Sequence, residues 1–358
     1  MKRLLPKGLL RFACVVMLMT GAFAPPQSTS GGEASGPERP AQQNAEKVPV
    51  FEFHSGFWIN LHHFLYQQAR AHNSPGGAGK EIPLSTAALT ADEKHSWAAA
   101  LDYYSNGFAD RDLLFNGDMV LINDRLAEME ACADLSGHDD RKCASGLRPE
   151  LIAALEHAAP VYRARWWPQH DRTNRAWIAS VAPLVRQYGA RLAQQLAEAY
   201  EATWPSGLLR VDVVNYGGPN GAYTTLDPAH ITISGADPRN QGPAALEIVF
   251  HEASHTLAGA VRDAIARECR QRGKPIPRDL WHALLFYTTG EMVKRALKTS
   301  VAANGQTATT NYTPYAFRNG LYDRGWSNYE RALELYWQPY LDGRSDFGNA
   351  VARLVSAL

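Results

Sequence analysis

Between Leu208 and His255 the chain changes texture twice, and this stretch limits the possible folds more than any other. Leu208-Leu-Arg-Val-Asp-Val-Val-Asn-Tyr216 alternates and is β-branched, as a half-buried strand requires. The cluster Gly217-Gly-Pro-Asn-Gly221 marks a turn. Ala222–Leu226 and His230–Ser234 then read as two further short strands around Asp227-Pro228. Pro243-Ala-Ala-Leu-Glu-Ile-Val-Phe250 follows as an apolar helix former with proline at its first turn. On either side the pattern is helical: Phe57–Tyr66, a helix opening at the capping box Thr90-Ala-Asp-Glu93, then 118–135, 149–158, 174–188 and 190–203. Beyond the apolar run, helices are expected near 277–299, 328–336 and 347–357. The fold class is therefore α+β and mostly helical, with a small sheet just before one apolar helix.

That helix carries His251-Glu252-Ala253-Ser254-His255. Positions i and i+4 of a helix share a face one turn apart, so both imidazoles can reach one Zn²⁺. Glu252 points aside, where it can take a proton from a coordinated water. A hydrolytic zinc site needs three protein ligands and one open position.

Strands, then an H-E-x-x-H helix, then a further helix with an acid: this order resembles the zincin metallopeptidases, and within them the gluzincin group. The resemblance covers roughly Leu208 to Leu297. It implies a zincin-like core, a peptide or protein substrate, one Zn²⁺ per chain and a third ligand from a later helix. Metzincins carry glycine and histidine where this chain has Ala258 and Val261, so that class does not apply. The glutamate implied as third ligand is Glu291, 291 − 255 = 36 residues after the second histidine, with Gly290 before it allowing two helices to approach. Many gluzincins have an acid one turn further on. Here that position is Arg295, so a buttressing carboxylate would have to come from elsewhere, Asp263 being one option.

His282 competes for the third place, but two and a half turns separate it from Glu291, so one straight helix does not direct both at one ion. Its other readings are a substrate or oxyanion contact, or a core histidine. In gluzincins a downstream Tyr or His stabilises the oxyanion. Tyr312, Tyr315 and Tyr322, in the aromatic stretch Asn311–Trp326, are the candidates beside His282. The resemblance also implies an edge strand that holds extended peptide by backbone pairing, a role that falls to His230–Ser234. His54, His62 and His63 have poor ligation geometry and read as part of a packed aromatic helix.

Four basic residues and a short apolar stretch precede Thr20-Gly-Ala-Phe-Ala24, the pattern of a secretory signal over 1–24. Residues 25–47 are rich in Pro, Gly, Ser, Glu and Gln and read as a disordered linker. A helical region (48–206) and a zincin-like catalytic region (207–358) complete the organisation. Export to the periplasm or exterior is expected, with an uncleaved N-terminal anchor as the minor reading. The 36 basic residues balance the 36 acidic ones, which gives no electrostatic case for nucleic acid. Cys132 and Cys143 bracket a short polar loop and form a disulfide or remain two thiols, the bridge being favoured in an oxidising compartment. The expected activity is zinc-dependent peptide hydrolysis with Glu252 as general base. The alternatives are a zincin-shaped binding protein without turnover, or an amidase acting on a cell-wall amide.

Overall fold

Four strands make one sheet in the order β1–β2–β4–β3. β1 (Phe51–His54), β2 (Leu209–Val214) and β4 (Ala229–Ser234) run parallel, and β3 (Ala222–Leu226) is antiparallel at one edge. The structure is a computed structural model and describes residues 51–74, 89–138, 140–298 and 311–358. The expected signal and linker lie outside these residues.

Among the described residues, five α-helices precede β2: α1 (Phe57–Asn73), α2 (Ala91–Gly107), α3 (Gly117–Glu128), α4 (Pro149–Arg165) and α5 (Trp167–Ala199). After β4 come α6 (Pro243–Ser254), α7 (Ala258–Gln271) and α8 (Leu280–Lys298). Short α9 (Tyr315–Arg318), α10 (Ser327–Ala332) and α11 (Gln338–Leu341) lead to α12 (Phe347–Ala357). The molecule is mostly helical with a small sheet, as the patterning requires. Thr90 and Glu93 form the expected capping box at the start of α2. Where two helices were expected over 174–203, one continuous α5 runs through Gly189, which is buried against its neighbours. The cysteines 132 and 143 are joined in a disulfide, and Cys269 is buried and unpaired.

The period of two in β2 and β4 sorts side chains into two unlike layers. Leu209, Val211, Val213, Ile231 and Ile233 face a cluster built from α5 to α8 and the C-terminal helices. Val214 and Tyr223 face a second cluster built from α1 to α4. Arg210, Asp212, His230 and Thr232 alternate with the first set and turn to the α1–α3 side. There Asn123 and Asp124 of α3 bond Thr232 and His230.

Two sequence expectations change here. β1 was not expected, because four residues alternating Phe-Glu-Phe-His are too short to signal a strand without a partner. It pairs with β2 across the boundary drawn at 206/207, so the two regions share one sheet, and residues 46–358 group as one unit. His230–Ser234, assigned above to an edge, lies in β4 with a partner on each side, so its backbone is already paired. The edge strands are β1 and β3, and β3 is the one that contacts α6. No helix among the described residues is long and apolar enough to cross a membrane.

Candidate metal centre

α6 begins at Pro243 after Gly242, whose φ of 59° suits glycine, and every residue from Ala244 to Ser254 is buried. An all-round apolar helix belongs in an interior, and this one runs beneath β3 and β4 and beside α5 and α8. Its end bends. Ser254 Oγ donates to Phe250 O and Thr256 Oγ1 to Ala253 O, both at 2.7 Å, and this back-bonding competes with the helical ladder. His255–Leu257 consequently form one tighter turn before α7. The two motif histidines thus remain four residues apart, one on the helix and one at its turned end.

The third member comes from α8, which runs antiparallel to α6. The rungs between them follow helical spacing on both sides. His255 and His251 meet His282, with ring centroids 5.2 Å apart in each pair. His251 also stacks on Phe286 at 3.6 Å and 16°. Glu247 meets Gly290, where a Cβ would lie 3.2 Å from Glu247 Oε1. His282, Phe286 and Gly290 are successive i+4 positions facing His255, His251 and Glu247. Nε2 of His251 and Nε2 of His282 are 3.2 Å apart, and one nitrogen from each of His251, His255 and His282 lies within 4.8 Å of the others. These three could hold a metal ion.

Burial is the main electrostatic fact at this centre. It lowers the pKa of all three imidazoles, His255 to about 3 and His282 to about 4, with neighbouring imidazoles adding to the effect at His251 and His255. Neutral imidazoles keep the lone pair a cation needs. Trp281 and Trp326 pack against His282 beside Phe286. Glu252 is 4% exposed, and its Oε2 lies 3.8 Å from His255 Nε2. Burial raises its pKa to about 7, opposed by a 2.7 Å hydrogen bond from Thr224 Oγ1 of β3.

Glu291, implied above as third ligand, is not in this group. It lies nine residues beyond His282, about 13 Å along α8, at the end of the helix that meets Glu247. Its carboxylate pairs with Lys294 Nζ at 2.9 Å. His282 lies beside the two motif histidines instead, because in an antiparallel pair the residue opposite His255 must be near the start of α8. Arg295 pairs with Asp342 and donates to Leu341 O, and Asp263 is exposed on α7.

The three tyrosines separate clearly. Tyr312 donates to Glu247 Oε2 at 2.7 Å, and Tyr322 donates to Ala283 O at 3.2 Å within the core. Tyr315 is 3% exposed with no protein hydrogen-bond partner for its hydroxyl. Its ring lies 5.8 Å from Phe286 at 14°, extending the stack that begins at His251. Burial raises its pKa to about 12, with the Asp237 and Glu252 charges contributing and Arg239 opposing. Of the three, only the Tyr315 hydroxyl is without a partner among the described residues.

His62 and His63 are buried in α1 and bonded to Tyr104 and Asn123, in keeping with their reading as packing residues. Sequence reasoning missed Thr224, Phe286 and Glu247. The last had a signal, a lone carboxylate in an apolar helical run one turn before His251. No family model, curated protein or solved structure matches this chain.

Proposed function

We propose that the protein is a zinc-dependent hydrolase of amide bonds, most simply a peptidase, with His251, His255 and His282 as ligands. The carrying observation is the convergence of these three neutral imidazoles beside the Glu252 carboxylate. Zn–N bonds of about 2.0–2.1 Å in a tetrahedron imply a nitrogen–nitrogen edge of roughly 3.3 Å. The 3.2 Å between Nε2 of His251 and Nε2 of His282 fits that edge. Three imidazoles leave one position open, as a catalytic rather than a structural zinc requires.

Zinc, when bound, would lower the pKa of a water in its open position towards neutrality. Glu252 would accept that water's proton and deliver it to the leaving amine, held in place by Thr224 Oγ1. Tyr315 would donate its otherwise unbonded hydroxyl to the carbonyl oxygen as negative charge builds there. β3 has no further strand beside it among the described residues, which favours a peptide substrate. An extended chain pairing with this edge would run beside Thr224, hence beside Glu252.

The test is a peptide-library digest by the zinc-loaded protein and by Glu252→Gln, with zinc content measured on both. Wild type should carry about one zinc and cleave. Glu252→Gln should keep the zinc and lose about 10²–10⁴-fold in rate, as expected for removal of a general base. Bound zinc with no peptide cleaved would rule out the peptidase reading. No zinc retained by wild type would sink the metal centre itself.

A further inference from the structure

Glu247 is the buried acid that the chemistry above leaves unused. It is 0% exposed, one turn before His251 on the helix face that carries the ligands. A carboxylate in such a place persists only with hydrogen bonds, and all those it accepts come from one segment. Tyr312 Oη donates to its Oε2 at 2.7 Å, and the Tyr315 backbone N–H reaches both oxygens at 3.0 Å. Pro314, between these donors, fills the space left by Gly290, where a Cβ would come within 2.6 Å of Pro314 Cβ. Carboxylate and glycine together therefore grip residues 312–315 between α6 and α8.

We infer that Glu247 is a positioning residue: by holding Tyr312 and the Tyr315 amide, it fixes the Tyr315 hydroxyl over the metal centre. This rests on the hydrolase reading. The path is short. The grip holds the backbone of Tyr315 itself, whose ring lies parallel to Phe286, which in turn stacks on His251. A clamp that only stabilised the fold could grip any residue of the segment. This one grips the residue whose hydroxyl is buried without a partner among the described residues and whose ring reaches His251 through Phe286.

The experiment uses the full chain loaded with cobalt(II), whose absorption reports ligand geometry, titrated with acetohydroxamate as a small chelating probe of the open position. Tyr315→Phe should leave the cobalt spectrum unchanged and weaken acetohydroxamate about tenfold, the cost of one hydrogen bond to a charged oxygen. Glu247→Ala and Tyr312→Phe should also keep the spectrum and weaken the probe, the first by about tenfold and the second by less. Glu247→Gln, which still accepts a hydrogen bond, should recover most of the affinity. The double variant Glu247→Ala/Tyr315→Phe should bind no more weakly than Tyr315→Phe alone, because both remove the same contact.

Additive losses in the double variant, or full affinity in both Glu247→Ala and Tyr312→Phe, would overturn the inference while leaving the metal centre standing. If Glu247→Ala does not fold, Tyr312→Phe and Glu247→Gln decide the matter by the same titration. Failure of wild type to bind cobalt would instead remove the hydrolase reading, and this inference with it.

Discussion

Two groups of buried and half-buried histidines lie on opposite sides of the sheet, and they differ in what their rings meet. On the α1–α3 side each finds a partner from another element. His62 meets Tyr104 at 2.8 Å, His63 meets Asn123 at 3.0 Å, and His54 meets Glu130 at 2.6 Å. His230 lies between Asp124 at 2.8 Å and Asp212 at 2.9 Å. On the α6–α8 side the imidazoles meet one another, and no carboxylate hydrogen-bonds to their rings among the described residues. Burial acts on both groups, lowering His62 and His63 as it lowers the α6–α8 imidazoles, and His230 is the exception. It lowers His251 well below its usual range, whereas at His230 the bonds to Asp124 and Asp212 outweigh it and hold the pKa at about 9. Burial alone therefore does not make a ligand. The three imidazoles of the proposed centre differ in converging on one another.

The sharpest way to break this contrast is to remove one imidazole from each side. His282→Ala should weaken zinc binding by at least about a hundredfold, since losing even an outer partner of a ligand costs 10–100-fold. His63→Ala and Glu291→Ala should leave it nearly unchanged, as competition with a chelating dye would measure. If Glu291→Ala releases zinc and His282→Ala does not, the ligand set proposed here is wrong.

Next in size, Asp212→Asn should cost about 3–5 kcal/mol in urea unfolding and leave zinc content intact. Asp212 is 0% exposed between His230 and Arg210, and removing it strips a buried pair of its anion. An equal loss of zinc would show that the two sides are coupled through the sheet.

Gly290→Ala follows, at about 1–3 kcal/mol, because the added methyl overlaps Pro314 and little space is free for it to move into. A melt unchanged from wild type would show that residues 312–315 are not gripped as described.

The smallest effect is in pH. A folded-state pKa raised from 6.5 to about 9 means that the native state holds the His230 proton more tightly. That stability is fully present below about pH 6.5 and is lost as pH rises through about 9. Wild type should therefore lose its advantage over His230→Gln by less than about 2 kcal/mol between pH 7 and 9. An advantage that grows with pH would show that His230 is neutral in the fold.

Much of this could be read locally. The capping box at Thr90, the strands on either side of Asp227-Pro228, the apolar helix before His251 and the last helix at Phe347–Ala357 all depend on near neighbours in sequence. β1 could not be read, because a four-residue strand takes its stability from β2, more than 150 residues away. The order within the sheet was equally hidden. His230–Ser234 carries the same alternation whether it is an edge or a central strand, and only its pairing on both sides decides which.

The sequence by itself determined the i, i+4 spacing of His251 and His255, with Glu252 between them, because helical geometry is a local property. A third ligand on a later helix was only what the resemblance to gluzincins implied. Only the tertiary structure brings His282, and not Glu291, beside His251 and His255. Both lie on α8, and the choice depends on the direction in which α8 crosses α6 and on its register. Contacts among Glu247, His251, His255 and their partners set that register, through residues 27 to 43 positions apart (282 − 255 and 290 − 247). No local pattern encodes a pairing over that distance, so the packed helices had to supply it.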